Sequence, residues 1–192
     1  MIRLLFMVAL AALALPGCKS KTAPATAQAG PTPAKQGLSA TGAMQIDAAD
    51  RCPVCGMAPH KHPKFASAIS LKDGTTHYFC GTGCMMRGHL HPEVYLGVEA
   101  AQLDKHVTPE YFGGKHIDAF SAWWVAGSDV AGPMGPMLVP LASEADVTTF
   151  KGRHGGGQVF QLEALDDALF QTLTGKPAIK PKGQKMKLKH GH

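Results

Sequence analysis

Four cysteines fall in two short pairs, Cys52-x-x-Cys55 and Cys80-x-x-x-Cys84, and the first pair runs on into Gly56-Met57. Thiols spaced this closely can pinch one ion, and four of them suit tetrahedral Zn(II). C-x-x-C is equally a thiol–disulfide spacing, although the βαβ surroundings of thioredoxin-like proteins are missing. Met57 suggests a third chemistry. A thioether is a poor zinc ligand but suits Cu(I), a soft ion satisfied by two or three polarizable sulfurs. Gly56 can take backbone angles that aim Cys55 and Met57 at one point. An even cysteine count in a secreted chain also suggests disulfides. Against that, all four thiols lie in the first third of the folded part, which is long enough to need no staple.

Further soft ligands recur. Met85 and Met86 adjoin Cys84, and Met134 and Met137 sit in Gly132-Pro133-Met134-Gly135-Pro136-Met137, where Pro and Gly predict an exposed turn. Histidines 60, 62, 77, 89 and 91 crowd the cysteine region. Methionine is most often core filler, the expected role of Met85 and Met86. Met134, in a Gly/Pro turn, has less reason to be core. For any one of these histidines a ligand role is the minority expectation. The ranking of candidate ligands is Cys55 and Met57 first, then Cys52, then Cys80 and Cys84, with Met134 last. No carboxylate pair, nucleophile–base set or phosphate loop stands out, so an enzyme is not expected.

The elements that must position these residues follow from local pattern. Phe65 to Leu71 and Thr75 to Phe79 flank Lys72-Asp73-Gly74, and Asp-Gly predicts a tight hairpin turn. A short helix is predicted over 83–90. Asp118 to Val125 and Met137 to Leu141 are strand candidates. Ser143, with Asp146 three residues on, predicts an N-capped helix that stops at Gly155-Gly156-Gly157. Gln158 to Leu162 reads as a strand, and Leu165, Leu169 and Leu173 mark a last amphipathic helix. Strand–strand–helix occurs twice, so the expectation is an α+β fold of two small related ββα-type halves with antiparallel strands, about 50–110 and 111–175.

The ends differ from this body. Arg3, the apolar run Leu4 to Leu15 and Leu15-Pro16-Gly17-Cys18 describe a secretory signal over 1–17. The run is too short to span a bilayer comfortably. Cys18 resembles the lipidated residue of a bacterial lipobox, which would anchor the chain to a membrane. Residues 18–43 have scarcely a large apolar side chain and read as a disordered tether. Residues 176–192 read as a basic disordered tail. All fourteen Asp/Glu lie within 44–175 beside nine Lys/Arg, so the body carries −5 although the whole chain carries +5. An acidic body is a poor partner for nucleic acid.

Taken together these residues resemble the NosL family, lipoprotein accessory factors of nitrous oxide reductase. The resemblance covers most of 50–174. It rests on Cys18, Cys52-x-x-Cys55-Gly56-Met57, Lys72-Asp73-Gly74 leading to Tyr78-Phe79-Cys80, and Trp123-Trp124-Val125-Ala126-Gly127-Ser128 before Gly132-Pro133-Met134-Gly135. It implies a periplasmic, lipid-anchored Cu(I) metallochaperone, with nitrous oxide reductase or its maturation machinery as partner, and two similar ββα-type halves. Phe79-Cys80-Gly81-Thr82-Gly83-Cys84 is also similar to YHS and TRASH metal-binding modules, which implies further sulfur ligands. The alternatives are a four-cysteine Zn(II) interaction module and a thiol oxidoreductase acting on copper-site cysteines.

Overall fold

A computed structural model describes residues 31–179. The first half begins with the hairpin β1 (Ser67–Leu71) and β2 (Thr76–Phe79), turning at Asp73-Gly74. Helix α1 (Thr82–Leu90) and the single turn α2 (Pro92–Tyr95) follow, then β3 (Leu103–Pro109) and β4 (His116–Asp118). The sheet is antiparallel, in the order β2-β1-β3-β4. The second half holds β5 (Trp123–Ser128), the small ladder β6 (Ala131–Gly132) and β7 (Gly135–Pro136), and β8 (Val139–Leu141). It ends with α3 (Glu144–His154), β9 (Gly155–Phe160) and α4 (Asp167–Thr174), with sheet order β8-β5-β9.

The fold is α+β, and the repeat is one strand longer than the pattern suggested. In each half the first strand is central, the second pairs on one side, a helix crosses, and a third strand returns on the other side (β1-β2-α1-β3 and β5-β8-α3-β9). Strand β3 carries no clear apolar alternation, because the buried positions His106 and Thr108 are polar. The predicted strand over 118–125 is two strands. Asp118 accepts the Phe120 N–H and so turns the chain, which leaves β4 in the first sheet and starts β5 in the second. The boundary between halves therefore lies between Asp118 and Trp123, later than residue 110. Helix α3 starts as its sequence predicts, with the Ser143 hydroxyl accepting the Asp146 N–H.

The two ends read as disordered are partly folded. Within the tether, the Ala34 N–H donates to the Thr76 carbonyl at 2.8 Å, and the Tyr78 hydroxyl donates to Gly37 O at 3.0 Å. Ala34, Leu38, Met44 and Ile46 cover Ala68, Tyr78 and Val107, the sheet face opposite α1. A few well-placed apolar side chains suffice because that face would otherwise be exposed. At the other end, the Arg87 guanidinium donates to the carbonyls of Pro177 and Ala178, and the Tyr95 hydroxyl donates to Ala178 O. Residues 1–30, with the signal, Cys18 and the first half of the tether, lie outside the described residues, as do 180–192. Among the described residues no helix is long and apolar enough to cross a membrane.

One continuous core joins the halves: Ile69, Phe79, Met85 and Met86 from the first meet Trp124, Leu138, Phe160 and Phe170 from the second. Met85 and Met86 are fully buried core filler, as expected. Helix α1 reaches β1 and β2 closely at Gly88, where a Cβ would stand 2.7 Å from Phe79 Cζ. Gly88→Ala should therefore destabilise the protein by roughly 1–3 kcal/mol, despite the better helix propensity of alanine. Chemical denaturation at equilibrium checks this; an unchanged or raised midpoint would mean the contact relaxes freely.

Beneath α1, His89 Nδ1 and His106 Nε2 lie 3.1 Å apart, with Phe120 packed edge-on to both rings. Burial, and secondarily the neighbouring His89, hold His106 down to about 3; burial also lowers His77 and His89. These imidazoles are neutral in both states above the ordinary histidine range. As pH falls below it, the unfolded chain takes up protons that the folded chain refuses, so stability is lost progressively down to about pH 3. Denaturation midpoints should fall across that window, and His106→Leu should flatten the dependence. A variant with the same pH slope would remove His106 as a cause.

Candidate metal centre

The segment Cys52–Met57 closes on itself. The Gly56 N–H donates to Cys52 O at 2.8 Å, and the Cys52 N–H donates to Met57 O at 2.9 Å. Closing so short a loop needs the left-handed backbone of Gly56 (φ +78°). The second pair is set by the strand-to-helix junction. Cys80 directly follows β2, Gly81 caps α1, and Cys84 lies in the first turn of that helix. Free N–H groups at a helix start favour negative charge nearby.

These two devices, twenty-five residues apart in sequence between Cys55 and Cys80, meet in space. The four sulfurs all lie within 4.8 Å of one another, and they form the one group of three or more Cys, His, Asp or Glu ligands found among the described residues. Cys55 and Cys80 sulfurs are 3.3 Å apart, and those of Cys80 and Cys84 are 3.8 Å apart. All four thiols are free. Cys52, Cys80 and Cys84 are buried, whereas Cys55 is half-buried and forms the solvent side of the cluster. Met57, partly buried, packs on the same core.

The sulfurs are not equivalent. Hydrogen bonds from Cys52, Cys80 and Cys84, with the Met57 N–H, hold the Cys55 thiol well below the ordinary thiol range. Hydrogen bonding to Cys52, Cys55 and Cys80 favours the protonated form of Cys84, and burial adds to it, so that thiol is pushed far up. Cys52 is lowered as well, so the cluster offers readily formed thiolates with further sulfurs in reach, suited to a soft or borderline cation and poorly suited to hard ones.

Met134 sits at the tip of the β6–β7 ladder, half-buried against the main core rather than held out in solvent. Pro133 leans over Gly81, and the Thr82 hydroxyl donates to Leu138 O at 2.7 Å, which fixes the hairpin above the start of α1. Met134 and Cys84 line one largely apolar cavity of about 100 Å³, together with Phe65, Arg87, Met137 and Phe170. The contribution of Phe65 and Arg87 to this cavity had no local signal in sequence. Met137 is buried in the core of the second half. The histidines have other partners or places: His91 Nε2 meets Asp167 Oδ1 at 2.7 Å, His89 pairs with His106, and His77 is buried within β2.

With metal-free protein at neutral pH, iodoacetamide should modify Cys55 at least about tenfold faster than Cys84, because only the thiolate reacts and Cys55 is the less buried. Peptide mapping over time measures both rates; equal rates would rule the asymmetry out.

Comparison with known proteins agrees with this picture. The family model for NosL matches residues 43–170. A copper-binding lipoprotein NosL of Stutzerimonas stutzeri is 34% identical over 125 residues, covering 64% of this chain and 65% of the relative. This chain thus aligns with just under two thirds of that relative's length. The crystal structure of the copper chaperone NosL from Shewanella denitrificans superposes with a TM-score of 0.54 at 24% identity, covering 66% of this chain and 96% of that one. That likeness establishes the fold. On the extent of the family match, the chain belongs to the NosL family.

Proposed function

We propose that this protein binds Cu(I) at the four-thiol cluster and hands it on as a non-enzymatic metallochaperone. The observation that carries the reading is the convergence of Cys52, Cys55, Cys80 and Cys84 within 4.8 Å of one another. Cu(I) is soft and content with two or three sulfurs, so it stays transferable. Ligand exchange would begin at Cys55, the sulfur that solvent and a partner can reach, while the buried sulfurs keep hold of the ion. Cys55, Met57 and Cys52 are its principal ligands in this reading, with Cys80 and Cys84 completing the cluster. Met134 is an auxiliary sulfur on the cavity beside Cys84.

The family and the named relatives support copper as cargo. Delivery to nitrous oxide reductase, for assembly of its copper centres, is the client we assign. A signal segment followed by Cys18 supports a lipid-anchored position on the periplasmic side of a bacterial membrane.

Four thiols in reach of one ion also favour a second reading, Zn(II). Four Zn–S bonds of about 2.3 Å would set sulfurs roughly 3.8 Å apart on every edge. Cys80 and Cys84, 3.8 Å apart, match that edge, whereas Cys55 and Cys80 at 3.3 Å are closer than it.

Anaerobic competition titrations decide between them. Cu(I) should bind far more tightly than Zn(II), with sulfur-dominated, low-coordinate ligation in X-ray absorption, and Met57→Ala should weaken Cu(I) binding about tenfold, or ~1.4 kcal/mol. The loaded protein should then raise the copper content of metal-free nitrous oxide reductase. Tight Zn(II) with weak Cu(I) would overturn the copper reading, and failure to load the reductase would overturn the client.

A further inference from the structure

The cluster holds more thiols than a Cu(I) ion needs. Two sulfurs satisfy Cu(I), and four thiolates around one monovalent ion would leave a charge of −3 in a mostly buried place. Arg87 lines the same cavity as Cys84, but its guanidinium lies on the Phe170 ring and donates to the carbonyls of Pro177 and Ala178 rather than pairing with a thiol. Two thiols can therefore be oxidised without emptying the site, and of the two hydrogen-bonded pairs Cys55 and Cys80 lie closer, at 3.3 Å against 3.8 Å for Cys80 and Cys84. A disulfide needs about 2.05 Å, so the sulfurs would close by roughly 1.3 Å. Cys55 is also the half-buried member, the first that an arriving ion would meet.

We propose that the four-thiol cluster also reduces Cu(II), using Cys55 and Cys80 as a two-electron donor. Two Cu(II) ions each accept one electron. Cys55 and Cys80 lose two protons to solvent and join in one S–S bond. One of the two Cu(I) products stays on Cys52 and Met57, with Cys84 completing the site, and the other leaves to an acceptor. The reaction is stoichiometric, one round for each reduced cluster. It gives the chain a way to accept copper that arrives oxidised, and because oxidation removes Cys55 as a ligand, reduction and handover become coupled. This inference rests on the copper reading above.

The test uses full-length, fully reduced protein under anaerobic conditions, with a cupric salt as probe and a Cu(I)-specific chelator as acceptor. Two equivalents of Cu(II) should lose their paramagnetic resonance signal, and peptide mapping should show one intramolecular Cys55–Cys80 disulfide with Cys52 and Cys84 still reduced. Cys80→Ser should slow the signal loss at least tenfold and abolish that disulfide, whereas Cys84→Ser should still form it but hold the remaining Cu(I) more weakly. Should a variant fail to fold, the disulfide map of the unmodified chain decides alone. A persistent cupric signal, or thiol loss without the Cys55–Cys80 bond, overturns the proposal. Cu(I) titration of the same preparation separates the two readings. Tight Cu(I) binding with unreduced Cu(II) sinks the reductant role alone, and absent Cu(I) binding sinks both.

Discussion

Helix α1 can lie against β1 and β2 only because residue 88 lacks a side chain, leaving room for the Phe79 ring. The other end of that helix, capped by Gly81, holds Cys84 near Cys80 at the end of β2. Cys52 and Cys55 arrive from a separate loop that fixes its own shape through two backbone hydrogen bonds. Neither pair is a four-sulfur cluster alone. The cluster exists because a self-contained loop is pressed against a strand–helix junction by the surrounding core, in which Cys52, Cys80 and Cys84 are themselves buried members.

Packing thiols this tightly has an electrostatic consequence. Each deprotonation makes the next less favourable, because like charges at 3–5 Å in a poorly solvated site repel strongly. Hydrogen bonding among the thiols, with burial, then divides the protons unevenly, biasing Cys55 toward thiolate and Cys84 toward thiol. A cation that neutralises part of this charge gains affinity from the protein's own strain. A monovalent soft ion leaves some sulfurs unsatisfied, and this surplus is what allows both ligand exchange and electron transfer to be considered for the same place.

The second half repeats the ββαβ course of the first without any thiol of its own. At the equivalent strand–helix junction stands Ser143, which caps α3 and does no more. Its contribution to the site is mechanical. Trp124, Phe160 and Phe170 complete the core behind the cysteines, and the β6–β7 hairpin reaches across to place Pro133 and Met134 beside α1. The C-terminal segment, tied down by Arg87 and Tyr95, braces the same helix from another side.

Features that depend on a few neighbouring residues were legible in the sequence alone. The Cys52–Met57 loop, the Asp-Gly hairpin, the Ser143 cap and the burial of Met85 and Met86 all follow from local spacing and composition. So did the doubled strand–strand–helix order. What tertiary structure decided is whatever required distant segments to meet. It buried the polar strand β3, which has no alternation to reveal it, and divided 118–125 between two sheets. It laid residues 34–43 and 177–178 onto the fold although their composition suggested solvent, because uncovered apolar faces drew them in. Above all, spacing marked two pairs that one ion could join, with the hairpin between them able to bring them together, whereas the packing of a separate loop against the strand–helix junction decided that they do meet, within 4.8 Å.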